Sequence, residues 1–270
     1  MPELPEVETV VRAIRPKLLN RTITNYENDW GNRIKSHADA ASLRAQIVGQ
    51  TVVDVRRRAK FIVVVLTHDY LIMHLRMSGH LSVVSAETPT SKYVHDTFTL
   101  DNGTQLRFRD TRKFGTVALV SDENQVLGKL GFEPLSADFT IAALQSIVAS
   151  RRRQMKPLLL DQSHVAGIGN IYADEALFEA QVDPRRQAST LTDAEVERLY
   201  HAIRNVLQQG IDREGASIST YVKPDGQKGD MQNAVNVFRR TDAPCYICST
   251  PIERIKLAQR STHFCPVCQK

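Results

Sequence analysis

The 270-residue sequence predicts an α+β chain in three successive parts: short antiparallel strands, then helices, then a small cysteine-held terminus. Three observations predict it. Short runs rich in β-branched residues, among them Phe61–Leu66, Leu71–Leu75 and Thr116–Val120, crowd residues 47–120. Beyond Gly131 the apolar residues change to three- and four-residue spacing. All four cysteines lie at or beyond residue 245.

Taken in order, the first element is a helix. Pro2 and Pro5 suit a first turn, where a missing N–H costs little. Leu4, Val7, Val11, Ile14 and Leu18 then make one apolar stripe, and Pro16 predicts an end or kink just before it. In the strand region Phe98 and Leu100 alternate on one side of Asp101-Asn102-Gly103, with Leu106 and Phe108 on the other, a hairpin signal. Many short strands at this spacing predict an antiparallel sandwich or barrel. Ile141–Val148, Pro157–Leu160 and Asn170–Glu179 read as helices, the last opening after a tight turn at Ala166–Gly169. Thr192 and Glu195 form a capping box ahead of Val196, Leu199, Ile203 and Val206. Residues 215–234 are polar, contain several glycines, and read as a mobile loop. There is no internal repeat.

Composition is that of an ordinary globular chain, 42% hydrophobic and 24% charged, so a collagen-like or disordered class is excluded. No run approaches the ~18 apolar residues of a membrane span. The acidic start PELPEVET is unlike a signal peptide, and the expected location is the cytoplasm. Net charge is +5. Basic residues bunch at Arg56–Lys60, at Arg107, Arg109, Arg112 and Lys113, at Arg151–Arg153, and at Arg239-Arg240. Solvated surface explains any one of these clusters; together they favour a nucleic-acid partner.

Cys245-x2-Cys248 and Cys265-x2-Cys268 are separated by sixteen residues. Each pair can place two thiolates on one ion, and two pairs complete a tetrahedral zinc site with no open position. The expected cofactor is therefore one structural Zn2+. The hairpin between the pairs carries Arg254, Lys256 and Arg260, a candidate DNA-touching finger.

The N-terminus permits a specific chemistry. Removing Met1 would expose Pro2 as a secondary amine, and the positive end of the following helix favours its neutral, nucleophilic form. Attack on a sugar C1′ gives an iminium, whose electron demand acidifies the C2′ proton and permits β-elimination of phosphate. Glu3 and Glu6 share a helix face beside the amine, and either could move a proton if burial favours its neutral form. The same residues also make an ordinary helix start. Gly167-Ile168-Gly169-Asn170 offers N–H groups to an anion, or forms a plain helix–turn–helix corner. His74 and Met77, near Ser78-Gly79, read by themselves as packing residues.

In combination these motifs are more specific. Pro2–Thr9, Arg58-Ala59-Lys60, His74–Gly79, Arg112–Gly115, Gly167–Tyr172, Ala258-Gln259-Arg260 and the four cysteines fall in an order that resembles the formamidopyrimidine-DNA glycosylase (Fpg) family nearly end to end. The resemblance implies a β-sandwich catalytic domain with flanking helices over residues 1–130, a helix–two-turn–helix domain over 131–234, and a zinc ribbon over 235–270. It implies removal of oxidised bases from double-stranded DNA by a monomer, followed by strand nicking. Pro2 is then the Schiff-base nucleophile, Glu3 the proton donor with Glu6 in support, Lys60 the residue assisting β-elimination, and Arg260 that of δ-elimination. Met77, Arg112 and Phe114 correspond to the trio that fills the gap left by an everted base. His74, Tyr93, Arg151 and Asn170, with Arg112, correspond to DNA contacts, and residues 222–233 to a loop closing over the base. Two departures stand out: Tyr93 replaces a histidine common among relatives, with His95 retained, and the loop Lys223–Lys228 is unlike commoner versions. Two rivals are the endonuclease VIII branch, which more often carries glycine in place of Leu4, and a non-catalytic DNA-binding scaffold. Pro2, Glu3 and Lys60 together oppose the second.

Overall fold

The computed structural model describes residues 1–218 and 220–270, apart from the side chain of Asn32. Ser219, inside the stretch read as a loop, lies outside the described residues. The chain forms two compact units: Met1–Lys129 with Glu214–Asp230, and Leu130–Arg213 with Met231–Lys270.

The first unit opens with α1 (Leu4–Leu18). Its apolar stripe is buried, as the spacing predicts. The expected break before Pro16 does not occur. Pro16 sits in the last turn, and the bond it cannot make belongs to the carbonyl of the exposed Arg12, where water can serve instead. Then follow β1 (Ile23–Asn28), α2 (Ala40–Ile47), β2 (Val52–Arg58), β3 (Phe61–Leu66), β4 (Tyr70–His74), β5 (Gly79–Ser85), β6 (Val94–Leu100), β7 (Thr104–Asp110), β8 (Thr116–Val120) and the short α3 (Asn124–Leu127). The strands make two antiparallel sheets, ordered β1-β6-β7-β5 and β2-β3-β4-β8. Two separate sheets decide for a sandwich and against a closed barrel. Val55, Ile62, Val64, Leu71 and Met73 of one sheet share a core with Tyr26, Leu81, Phe98, Leu106 and Phe108 of the other, and α1 contributes Val7, Val10 and Ile14. The Asn102-Gly103 hairpin joins β6 and β7, with Gly103 at φ +75.

The second unit holds α4 (Ile141–Ala149), α5 (Met155–Leu159), α6 (Asn170–Glu179), α7 (Asp193–Asp212) and the hairpin β9 (Glu253–Leu257) with β10 (Arg260–Phe264). Thr192 caps α7 through the expected box with Glu195. The ribbon is built onto the helices. Glu175 of α6 is fully buried and accepts hydrogen bonds from the N–H groups of Asn236, Val237 and Phe238, at 2.7, 3.0 and 2.9 Å. Asp174 accepts from the His263 N–H at 3.0 Å. Among the described residues no helix is long and apolar enough to cross a membrane.

Candidate functional site

The first cluster surrounds the start of α1. Pro2, Glu3 and Glu6 are all buried, while Met1 is exposed. Glu3 caps the helix in extended backbone, φ −104 and ψ −170. One Glu6 oxygen accepts from the Glu3 N–H at 2.8 Å and the other from the Ala216 N–H at 2.7 Å. Glu6 therefore fixes the backbone that presents Glu3, and fastens residues 214–230 to the helix end. Gly215 makes this contact possible: its φ is +83, and a Cβ there would lie 2.8 Å from Glu6 Cγ. Gly215→Ala is expected to destabilise the first unit by about 1–3 kcal/mol, through left-handed strain and displacement of Glu6. A urea titration checks this; an unchanged midpoint would contradict it.

Lys60 lies on the two-residue turn between β2 and β3, after Ala59 at φ +53. Arg57 holds that turn, donating from Nε to Glu8 of α1 at 2.9 Å and from a terminal nitrogen to the Ala59 carbonyl at 3.1 Å. Thus Lys60 is buried on a turn tethered to the helix that Glu3 caps. His74 is paired across the sheet with Phe61 and packs edge-on against its ring, centroids 4.6 Å apart. Its Nδ1 accepts the Arg76 N–H at 2.9 Å, so Nε2 carries the proton.

Burial, reinforced by the charges of Arg76 and Lys60, lowers the His74 pKa to about 3 from an ordinary value near 6.5. The unfolded chain therefore binds one more proton than the folded chain across that window. This contribution is complete above about pH 6.5 and is lost as pH falls towards 3, by up to about 1.4 kcal/mol per pH unit. His74→Gln is expected to flatten that part of the stability profile. Equal slopes in wild type and variant would contradict the assignment.

Met77, Arg112 and Phe114 meet at exposed loop tips. Arg112 donates to the Met77 sulfur at 3.2 Å, and its guanidinium lies 4.9 Å from the Phe114 ring centre. Met77 is 41% exposed and Phe114 51%, so the trio presents an apolar patch and a planar cation at the surface. Tyr93 is half-buried beneath two cations, Lys92 and Arg109, at 5.3 and 5.5 Å. His80 bonds the Lys223 carbonyl at 3.1 Å and Thr220 donates to the Met77 carbonyl at 2.6 Å, so residues 220–223 are anchored beside the wedge.

In the second unit, Asn170 is the first residue of α6 and donates to the Ser261 carbonyl at 3.0 Å. Lys156, fully buried, donates to the same carbonyl at 2.7 Å and pairs with Asp174 at 2.6 Å. These bonds seat the β9–β10 hairpin. Its turn residues Ala258 and Gln259 both adopt positive φ, 43 and 64, where hairpins usually carry glycine or asparagine. The exposed Arg260 follows. Asn170, Arg239, Arg254 and Arg260 line a cavity of about 610 Å³ whose lining contains no acidic residue, suited to an anion. Among the described residues, no donor meets the buried Oδ1 of Asn170. Arg151 is exposed, its Nε 3.5 Å from His164. Sequence reasoning missed Arg57, Glu8, Lys156 and Asp174. Their signal is a partnership across long separations, which no local period carries.

The four cysteine sulfurs lie within 4.8 Å of one another, with Cys245–Cys268 at 3.9 Å and Cys248–Cys265 at 3.4 Å. Zn–S bonds of about 2.3 Å in a tetrahedron place sulfurs roughly 3.8 Å apart, so the set fits one structural zinc. Cys245 and Cys265 are buried against Phe178, Val237 and Ile252.

Comparison with known proteins bears on each part of the chain. Family models match for the formamidopyrimidine-DNA glycosylase N-terminal domain at residues 1–117, the formamidopyrimidine-DNA glycosylase H2TH domain at 130–222, and the zinc finger found in FPG and IleRS at 243–270. The formamidopyrimidine-DNA glycosylase of Symbiobacterium thermophilum is 45% identical, over all of this chain and 89% of its own. That of Chloroflexus aurantiacus is 46% identical, over 100% and 98%. A Lactococcus lactis FPG mutant in complex with Fapy-dG-containing DNA superposes with a TM-score of 0.93 at 34% identity, covering both chains fully. The wild-type Lactococcus lactis enzyme with an oxidised-pyrimidine-containing DNA gives 0.91 at 34%, also over both full chains.

Proposed function

This chain belongs to the formamidopyrimidine-DNA glycosylase family, and we propose that it excises oxidised purines, 8-oxoguanine and formamidopyrimidines, from duplex DNA and then nicks the strand as an abasic-site lyase. The observation that supports this most is the buried Pro2-Glu3 start of α1, with Glu6 fixing its backbone and the Lys60 turn tethered to the same helix. A proline nitrogen joined to Met1 is an amide and no nucleophile, so the chemistry begins once Met1 is removed.

The Pro2 nitrogen attacks C1′ of the damaged nucleotide while the C1′–base bond breaks. Glu3 gives its proton to the departing base. The Pro2 N–H proton passes to the Glu3 carboxylate and on to O4′ as the sugar ring opens, which leaves an iminium between C1′ and Pro2; loss of the C2′ proton, assisted by Lys60, then expels the 3′ phosphate. A second elimination, which loses the C4′ proton with Arg260 stabilising the departing 5′ phosphate, frees the sugar from the strand, and water hydrolyses the iminium to restore Pro2. Met77, Arg112 and Phe114 occupy the gap left by the everted base, which lowers the cost of unstacking it. His74, Tyr93, Arg151 and Asn170 bind phosphates, which position the duplex without reading sequence. The neutral state of His74 suits this, since its Nε2–H donates. Zinc holds the ribbon and takes no part in these steps. In this reading the three stretches 1–130, 131–234 and 235–270 carry chemistry, grip and finger within a monomer, except that Glu214–Asp230 returns to the first unit.

Incubation with duplexes carrying 8-oxoguanine opposite cytosine, or an oxidised pyrimidine, tests the reading. Faster release of 8-oxoguanine, with strand ends bearing phosphate on both sides of the gap, is expected. Faster release of the pyrimidine would assign the chain to the endonuclease VIII specificity, and ends from β-elimination alone would remove the role of Arg260.

A further inference from the structure

Behind the exposed wedge lies a buried polar chain with no part in the chemistry above. Arg33 is fully buried and its guanidinium lies 4.0 Å from the Phe108 ring centre. It pairs with Asp96 at 2.8 Å and with Asp110 at 3.1 Å, both also fully buried. Asp96 is fixed in turn by the Tyr26 hydroxyl at 2.9 Å and the Asn28 amide at 2.6 Å. Asp110 ends β7, and its two oxygens reach both wedge loops. One accepts from the Ser78 hydroxyl at 2.5 Å and the Arg112 N–H at 3.2 Å; the other accepts from the Gly115 N–H at 2.7 Å. Gly115 is glycine because a Cβ there would lie 2.6 Å from the Phe108 ring and 3.1 Å from the Asp110 carboxylate. Lys113, between Arg112 and Phe114, sits 4.0 Å above the Trp30 ring, so residues 30–33 back the loop twice.

We propose that Asp110, anchored by Arg33, is the positioning residue that sets the Met77 loop and the Arg112–Phe114 loop in register before they enter DNA. One carboxylate serves both loops and holds the Ser78 hydroxyl that itself accepts the Arg112 N–H at 3.2 Å, so the separation of Met77 from Arg112 is set at this cluster. All its partners are donors, which only an ionised carboxylate can satisfy. Burial pushes the Asp110 carboxyl upward, but the Ser78 hydroxyl, the N–H groups of Gly115 and Arg112 and the Arg33 charge outweigh it, keeping it below the ordinary carboxylate range. With donors on both of its oxygens, the buried Asp110 carboxylate specifies one geometry. The inference rests on the wedge role proposed for Met77, Arg112 and Phe114.

Asp110→Asn keeps the shape but turns an NH2 toward Ser78 or Gly115. In the zinc-loaded full chain it is expected to slow release of 8-oxoguanine paired in duplex by about 10–100-fold. Nicking at a preformed abasic site, where no base need be everted, is expected to change less than about 3-fold. Wedge insertion is read independently of catalysis by 2-aminopurine placed opposite a tetrahydrofuran abasic analogue, and its fluorescence rise is expected to shrink in the variant. Ser78→Ala, which removes the hydroxyl that donates to Asp110 and accepts the Arg112 N–H at 3.2 Å, decides the matter if Asp110→Asn does not fold; a 3–10-fold loss confined to base release is expected. Folded variants with wild-type release and wild-type 2-aminopurine signal would overturn the proposal, as would an equal fall in both reactions. A wild-type protein that releases no base but gives the 2-aminopurine rise, lost in Asp110→Asn, would refute the glycosylase reading and leave the positioning role standing.

Discussion

Removing zinc, by chelation or by replacing the four cysteines with serine, is expected to unfold the Cys245–Lys270 ribbon and to weaken binding to lesion-containing duplex by on the order of 100-fold or more. The ribbon owes its order to the metal: β9 and β10 form a single two-stranded hairpin, and its apolar core is only Ile252 and Phe264 with the buried cysteines. Structural zinc contributes about 10–16 kcal/mol to folding such modules, far more than that core supplies. Arg254 and Arg260 line the anion cavity only while the hairpin stands on α6. If each contributes one charge-assisted phosphate contact, worth about 1.5–3 kcal/mol, losing both gives the stated factor. Circular dichroism and a fluorescence-anisotropy titration with and without chelator measure both effects. Full affinity in the four-serine protein would contradict the assignment. The α1 start should keep its fold, since Glu6 and its partners belong to the other unit.

A protein that retains Met1, or carries Pro2→Gly, is expected to lose most base release and nearly all covalent capture of the sugar. Retention converts the nitrogen into an amide, whose lone pair is delocalised. Glycine keeps a primary amine, but it lacks the ring whose burial at the start of α1 holds the nitrogen in place. Affinity for the duplex should stay within a few-fold, because the proposed phosphate contacts lie elsewhere. Comparing affinity with single-turnover release in Met1-retained and processed protein separates these effects. Equal rates would remove Pro2 from the chemistry.

Local signals made much of this fold legible. The Asn102-Gly103 hairpin, the capping box at Thr192 and the CxxC pairs each depend on residues a few positions apart, and each stands where the spacing predicts. The strand β1 and helix α2 were not legible. β1 reads ITNYEN, whose burial follows Tyr26 and Ile23 rather than a two-residue alternation, and α2 spans only eight residues. Pro16 misled because a missing N–H matters only where its acceptor is cut off from water. The least visible feature is the return of Glu214–Asp230 to the first unit: one bond joins Glu6 to Ala216, 210 residues away. Likewise Arg33 and Asp110 are 77 residues apart, and neither stands out by local period. Motif order pointed to Pro2, Glu3, Lys60, Met77, Arg112 and Phe114 as candidates; the carboxylates and arginines that hold them become visible only in the fold.

The central claim is that the Pro2 nitrogen bonds to sugar C1′. Processed, zinc-loaded protein is mixed with duplex carrying 8-oxoguanine opposite cytosine, borohydride is added, and the trapped species is digested and mapped by mass spectrometry. The expected result is a stable adduct on the peptide that begins at Pro2, absent from Met1-retained protein. An adduct mapped to Lys60 or another lysine, or none at all while the base is released, would contradict it.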